Sequence, residues 1–123
     1  MDTAHMVDCV KRYINANDNH DIAVIEELFD MNATVEDPVG SEPHVGLDAI
    51  REFYLNGFSS VVKAELTGDI RCAANSAAFP FYVIAKIGDV QMKIEVIDVF
   101  EFNEQGRIRS MKAFWGKDNW STV

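Results

Sequence analysis

The sequence has little of several features that mark particular classes of protein. Its 123 residues include only two cysteines, Cys9 and Cys72, with no pair in CxxC spacing. This excludes a disulfide framework and a zinc knuckle, and it favours free thiols in a reducing compartment. No apolar run reaches membrane-spanning length, and the N-terminal residues lack the basic flank and apolar stretch of a signal peptide. These absences predict a cytoplasmic protein.

Positive charge is also scarce. The 11 lysines and arginines face 20 aspartates and glutamates, giving a net charge of −9. Nucleic acid and anionic membrane surfaces call for a basic face, so neither is expected as a partner.

Metal and cofactor signals are weak as well. The three histidines lack ligand spacing, and there is no phosphate loop or GxGxxG motif. Glu36, Asp37 and His44 form one conceivable site of two carboxylates and one histidine. Loops of this composition are usually just solvated, so we expect neither a metal nor a cofactor.

What the chain does have is a globular composition, with 48% hydrophobic residues, and a length that fits one domain over residues 1–123. Apolar spacing predicts helices over 3–17, from Asp21 to Phe29, and over 47–58. Alternation predicts strands over 33–37, 62–72, 79–87, 90–102 and 107–116, with a bend or bulge at Gly68 and a hairpin turn over 103–106. The order predicts an α+β fold in which three helices pack on one side of a curved, mainly antiparallel sheet. Such an arrangement leaves a pocket between the layers.

One residue in the predicted strand 90–102 breaks its pattern. Alternate residues put Val90, Met92, Ile94, Val96, Asp98, Phe100 and Phe102 on one face, and all except Asp98 are apolar. A charged carboxylate in a core is costly unless it is paired. Asp98 must therefore find a cation, bind a metal or take up a proton.

The pairing of this strand with the next one separates two of these outcomes. A tight turn over 103–106 places Met111 opposite Asp98, with no cation nearby, and predicts a neutral carboxyl with a raised pKa. One bulge residue at Gly106 brings Lys112 opposite instead and predicts a salt bridge. The sequence pattern leaves these alternatives about even.

Three other polar residues are candidates for chemistry. Tyr13 and Tyr54 lie on the apolar faces of their predicted helices, where most tyrosines simply find an ordinary backbone partner. Asp37 shares a strand face with Ala33 and Val35 and precedes Pro38. It is either a turn aspartate or a partly desolvated base at a pocket wall.

Taken together, these residues resemble the bacterial ketosteroid isomerases (steroid Δ5-isomerases), a group within the NTF2-like, or SnoaL-like, superfamily. The resemblance spans nearly the whole chain, from the first helix to Trp115. It rests on Tyr13, the run ATVEDP ending at Pro38, Phe53–Tyr54, the run FPF over 79–81, the run VIDV around Asp98, and the run AFW over 113–115.

The resemblance implies a cone-shaped NTF2-like fold, a homodimer and a set of roles. It implies that Asp37 is the general base and that Tyr13 and protonated Asp98 donate hydrogen bonds to a dienolate oxygen, as described for ketosteroid isomerases themselves. Tyr54 would support Tyr13. The implied apolar steroid site consists of Phe53, Phe79, Phe81, Met111, Ala113 and Trp115.

One departure concerns Phe29, which stands where some members carry a further tyrosine in the hydrogen-bond chain behind Tyr13. The superfamily also includes cyclases, dehydratases and binding domains, so fold alone leaves function open. A cyclase or dehydratase, and a ligand-binding module without turnover, therefore remain alternatives to an isomerase.

Overall fold

Three helices pack against one eight-stranded sheet, which confirms the predicted α+β arrangement. The structure is a computed structural model and describes residues 1–123. The helices are α1 (Thr3–Asn19), α2 (Ile22–Leu28) and α3 (Leu47–Phe58), with a short 3-10 helix at Lys117–Asn119. The strands are β1 (Phe29–Glu36), β2 (His44–Val45), β3 (Val61–Leu66), β4 (Arg71–Ala73), β5 (Ser76–Ile87), β6 (Val90–Phe102), β7 (Ile108–Phe114) and β8 (Trp120–Thr122).

Strand β6 is the centre of the sheet. The strand order is β2-β1-β7-β6-β5-β3, with β4 beside β5 and β8 beside β6. β1 and β7 are parallel, and the other pairs are antiparallel. β5 runs along almost all of β6, while β8 and β7 cover successive parts of its other edge. The inner row of β6 therefore forms the floor beneath the helices.

The helices begin where the sequence predicts. The side chains of Asp2 and Asp21 each accept a hydrogen bond from a backbone N–H in the first turn of α1 and α2, which satisfies a donor that has no partner inside the helix. Phe29 is a correction: it begins β1 instead of ending α2. None of the helices is long and apolar enough to cross a membrane.

The predicted strand over 62–72 is two strands, β3 and β4, which separate around Gly68. Thr67 N–H donates to the carbonyl of Pro80, and a Cβ on Gly68 would lie 3.1 Å from the Pro80 ring. The chain therefore crosses Pro80 at close range, which favours glycine. Two short strands are also corrections: β2 falls in a predicted loop and β8 in a predicted polar tail. Strands of two and three residues are too short to show periodicity.

The hairpin between β6 and β7 contains two irregularities where at most one was predicted. At its turn, Gly106 has a φ of +81°, and the Asn103 side chain accepts from the N–H groups of Gln105 and Arg107. This is the geometry of a three-residue loop with a glycine bulge. A second register shift follows between Glu101 and Phe102.

The two shifts together change the partner of Asp98. Ala113 lies opposite Asp98, so the predicted partner Met111 is wrong by two residues. The alternative partner, Lys112, lies opposite Val99 instead and is exposed. Since side chains alternate between the two faces, a shift of two residues keeps the same face inward. Asp98 therefore stays in the core.

Candidate active site

A cavity of about 360 Å³ lies between the helices and the inner face of the sheet. Of its 17 lining residues, 13 are hydrophobic, so it suits a largely apolar ligand. Six residues predicted for the site contribute to its wall: Tyr13, Asp37, Phe53, Tyr54, Phe81 and Trp115.

Two tyrosines from different helices meet at one end of this cavity. The hydroxyls of Tyr13 and Tyr54 lie 2.7 Å apart and share a hydrogen bond. The rings of Phe79 and Phe100 pack edge-on against the Tyr13 ring, with centroid distances of 6.1 and 4.9 Å. Burial raises the pKa of both tyrosines well above the ordinary value. Each phenol therefore keeps its proton and can donate a hydrogen bond.

Asp98 lies behind this end of the cavity and is 1% exposed. Neither carboxyl oxygen has a hydrogen-bond partner among the protein groups. Burial raises the pKa of Asp98 well above its ordinary value, the nearby Asp37 raises it further, and the Tyr13 hydroxyl acts in the opposite direction. The Tyr13 hydroxyl is near Asp98 but does not meet the geometry of a hydrogen bond in this structure.

No cation neutralises Asp98. All five ion pairs of the protein join exposed side chains, and none includes this residue. Lys112 is on the opposite side of the sheet, as its pairing with Val99 requires. The salt-bridge interpretation of Asp98 is therefore wrong, and its raised pKa favours the neutral carboxyl.

Asp37 occupies a different kind of place, just after the end of β1. It is half-buried on the cavity wall, and its Oδ1 accepts a hydrogen bond of 2.6 Å from the indole N–H of Trp115. The bend that follows is fixed from both sides: Val39 N–H donates to the carbonyl of Ala113, and Gly40 N–H donates to the Glu36 carboxylate. The loop therefore holds the Asp37 carboxyl against the cavity.

The pKa of Asp37 is raised by burial, but the Trp115 hydrogen bond and the charge of His44 both act to lower it. A carboxylate with one hydrogen bond and partial solvent access can ionise and accept a proton from a ligand. Donors at one end of an apolar cavity and a base on its wall can together move a proton on an enolisable compound.

Four predicted residues are not part of the cavity lining. Asp98 is one of them, and its carboxyl lies directly behind the wall. Phe79, Met111 and Ala113 are the others; like Asp98 they are at most 1% exposed and belong to the core. Their predicted contact with a ligand is therefore not seen. They support the wall instead, because Phe79 and Ala113 are the two cross-strand neighbours of Asp98.

Sequence reasoning missed four features of the site. Asn17 and Ser60 line the cavity as polar groups, and Trp120 lines it from β8. The helical spacing from Tyr13 to Asn17 was a usable signal for the first of these. The Trp115 indole as a donor to Asp37 was also missed, since its partner is 78 positions away in the chain.

The conceivable metal site is absent. No group of three or more histidine, cysteine, aspartate or glutamate side chains is arranged to hold a metal ion. Glu36 accepts from Gly40 N–H instead, and the His44 ring packs on Phe53 with centroids 4.3 Å apart. The three residues therefore serve separate local contacts.

Known proteins resemble this chain in sequence and in fold. Residues 10–111 match the SnoaL-like domain family. A protein named Steroid Delta-isomerase from Nocardioides simplex is 41% identical over 113 residues, which cover 92% of this chain and 91% of that protein.

A solved structure is similar as well, with a TM-score of 0.86 and 28% identity over 94% of both chains. It is described as the epoxide hydrolase/cyclase-like enzyme SalBIII, which acts in pyran ring formation in the polyether salinomycin. The fold, the match over most of the chain and the 41% identity together show that this chain belongs to the SnoaL-like family of the NTF2-like superfamily, as a relative of steroid Delta-isomerase.

Proposed function

We propose that the protein is a steroid Δ5-3-ketone isomerase that moves the carbon–carbon double bond from Δ5 to Δ4. The proton leaves carbon 4 and returns at carbon 6, so the reaction is an intramolecular transfer with no net oxidation. The 41% identity to a protein named Steroid Delta-isomerase supports this reaction class.

Asp37 is the proposed base. Its carboxylate takes the proton from carbon 4 and delivers it to carbon 6 of the same intermediate. This role needs a group that can ionise at neutral pH and that stays in place between two carbons. The indole of Trp115 keeps the carboxylate in place, because its 2.6 Å hydrogen bond fixes one carboxylate oxygen and leaves the other for the substrate.

Tyr13 and Asp98 are the proposed donors to the oxygen of the dienolate. A single donor of this kind is worth roughly 3 kcal/mol in a dry site. The two oxygens of Asp98 have no protein partner, so a substrate oxygen is a suitable acceptor for the carboxylic proton. Tyr54 holds the Tyr13 hydroxyl in position through their 2.7 Å hydrogen bond.

The single observation that carries this proposal is the contrast between two carboxyl groups in one site. Asp37 is half-buried and hydrogen-bonded, whereas Asp98 is fully buried and unpaired. A binding module without turnover predicted an Asp98 paired with Lys112 or an arginine, and neither pair forms.

The test is conversion of 5-androstene-3,17-dione to its conjugated isomer, followed as new ultraviolet absorbance. We expect turnover without added metal or cofactor and competitive inhibition by a planar phenolic steroid such as equilenin, whose phenol imitates the dienolate. Absence of turnover by folded protein would contradict the proposal.

A second candidate function is a cyclase of the same superfamily, which the similarity to SalBIII favours. A cyclase also needs an acid and a base facing an apolar cavity. Binding of equilenin without isomerisation of the Δ5 ketone, combined with ring closure of a hydroxy-epoxide, would favour this reaction over the isomerase.

The assembly proposed for the enzyme is a homodimer that works in the cytoplasm. Ile97 and Phe114 are directly paired on the outer face of the sheet and remain 49% and 48% exposed. Adjacent apolar side chains of this exposure suit a face that a second copy covers. Sedimentation of a monomer alone at micromolar concentration would contradict the dimer.

A further inference from the structure

Asn17 is a polar residue in the cavity wall that the proposed reaction does not use. It is only 9% exposed, and its side chain belongs to the lining. Its Nδ2 donates a hydrogen bond of 2.9 Å to the backbone carbonyl of Tyr13. Its Oδ1 and its second N–H have no protein partner. Asn17 Oδ1 is not among the fully buried atoms that lack a partner, so a ligand in the cavity can reach the amide. A ligand that displaces water from it without offering a hydrogen bond leaves it unsatisfied, which costs free energy.

The position of Asn17 separates it from the reacting end of the cavity. It follows Tyr13 by one helical turn, about 6 Å along α1. The neighbouring Asp18 accepts from the N–H of Ala64, which pairs with Val83 of β5. The Tyr13 ring instead packs on Phe79. Phe79 and Val83 are four residues apart on β5, which is about 13 Å along the strand. Asn17 therefore lies one turn beyond Tyr13, toward the end of the cavity away from the Phe79 side on which the Tyr13 ring packs.

The surroundings of Asn17 are otherwise apolar. Val83, Phe58, Val61 and the small polar residue Ser60 also line the cavity. Phe58 and Val61 lie beside the end of α1, since both contact His20. A ligand that is pure hydrocarbon at this end would leave the Asn17 amide buried without partners. A ligand with an oxygen there would satisfy it, so the residue discriminates between the two.

We propose that Asn17 binds a keto or hydroxyl oxygen carried by the substrate on the rings remote from the reacting 3-ketone. This inference rests on the proposed function, since it assumes that a steroid 3-ketone lies with its reacting oxygen near Tyr13. The substrate class is then a 3-keto steroid with a second oxygen at the far end, at or near carbon 17. An amide offers both a donor and an acceptor, so either kind of oxygen is accepted.

A purely structural role is the alternative, because the Asn17 side chain also bonds to the backbone of its own helix. Leucine is a better helix former than asparagine and has a similar size. Asn17→Leu should therefore fold, keep α1 intact and remove only the amide. Asn15→Leu is the matched control, since Asn15 is exposed on the other side of the same helix.

The experiment compares kcat/KM for 5-androstene-3,17-dione and for 5-androsten-3-one, which lacks the second oxygen. In Asn17→Leu, we expect kcat/KM for the dione to fall about ten-fold, the worth of one hydrogen bond, and kcat/KM for the monoketone to stay the same or rise. Asn15→Leu should leave both values unchanged. An equal loss on both substrates, or no loss on either, would overturn the inference.

A binding measurement keeps the inference independent of turnover. Estrone and its analogue without the 17-keto oxygen differ only at the remote end. We expect Asn17→Leu to weaken estrone binding about ten-fold and to leave the analogue unaffected. If the wild-type protein turns over neither ketone but shows this difference in affinity, the isomerase proposal fails and the Asn17 site stands. Equal affinities for the two phenols would contradict the site.

Discussion

The wall of the cavity and the core behind it each hold one carboxyl group, and the two groups have opposite surroundings. Asp37 on the wall has partial solvent access and a hydrogen bond from Trp115. Asp98 in the core is 1% exposed, and neither of its oxygens has a protein partner. Burial raises the pKa of both carboxyl groups. The Trp115 hydrogen bond and the charge of His44 act against this effect at Asp37, whereas only the Tyr13 hydroxyl does so at Asp98.

The difference teaches how one residue type can serve two chemical roles. A carboxyl that ionises accepts a proton, whereas a carboxyl that remains neutral donates a hydrogen bond. The Asp37 charge also favours the neutral form of Asp98, because it is among the causes that raise the Asp98 pKa. Each of the following changes alters one side of this contrast.

The largest effect is expected from Asp37→Asn. An amide has the shape of the carboxylate but cannot take up the proton at neutral pH, so the base is lost while the hydrogen-bond position stays filled. We expect kcat for the Δ5 ketone to fall by about 10³-fold or more, measured by ultraviolet absorbance of the conjugated product. Asp89→Asn, at an exposed turn, is the matched control. Full activity of Asp37→Asn would remove Asp37 from the role of base.

The next largest effect is expected from Asp98→Leu compared with Asp98→Asn. Leucine removes the proposed donor, so we expect kcat to fall by about 10²- to 10³-fold. Asparagine still offers an N–H, so kcat should fall clearly less in Asp98→Asn than in Asp98→Leu. Equal activity in the two variants would show that donation by residue 98 does not matter.

Tyr13→Phe should lower kcat to a similar extent as Asp98→Leu, because it also removes one proposed donor to the dienolate oxygen.

Asp98→Leu should also change how stability depends on pH. Above the ordinary pKa of 3.8 the unfolded chain releases the Asp98 proton, while the folded chain keeps it. The folded state then binds more protons, so its stability falls as pH rises, by at most about 1.4 kcal/mol per pH unit, until the raised pKa is reached. We expect both Asp98 variants to lose this slope in denaturant unfolding between pH 4 and 7. A slope unchanged in both would mean that Asp98 is ionised in the folded protein.

The sequence predicted that Asp98 faces the core but not its partner across the hairpin. The inward face follows from alternation alone, because six of the seven residues in that row are apolar. The partner depends on how many extra residues the hairpin accommodates, and the structure has a glycine bulge and a second shift beyond it. An odd number of extra residues would have reversed the face of β7, and that number cannot be obtained from a local pattern.

The site shows the same limit. Tyr13, Tyr54 and Asp37 were predicted from local periodicity and from the family resemblance, and all three line one cavity. The predicted contacts of Phe79, Met111 and Ala113 with a ligand were not seen, since an inward-facing residue can lie either on a wall or behind it. That choice depends on how far the helices stand from the sheet, which is a property of tertiary packing.

A moderate effect is expected from Trp115→Phe. The phenyl ring fills most of the indole volume but cannot donate to Asp37, so the Asp37 pKa should rise, because the Trp115 hydrogen bond is one of the two influences that lower it. We expect kcat to fall by about ten-fold and the acidic limb of the kcat/KM profile to move to higher pH. The aromatic partner of Trp115 offers the control: Trp120→Phe should leave that limb in place, since Asp37 receives its hydrogen bond from Trp115.

The smallest effect is expected from Tyr54→Phe, because Tyr54 acts on the dienolate only through Tyr13. Removing its hydroxyl leaves the Tyr13 hydroxyl without its 2.7 Å partner. The ring packing is retained, and Phe29 nearby offers no replacement hydroxyl. We expect kcat to fall less than in Tyr13→Phe, by about ten-fold or less, with KM nearly constant. In a Tyr13→Phe background the same change should have almost no further effect, since the hydroxyl that Tyr54 supports is already gone. A full additional loss in the double variant would mean that Tyr54 contacts the substrate oxygen itself, and the donor side of the contrast would then include three groups instead of two.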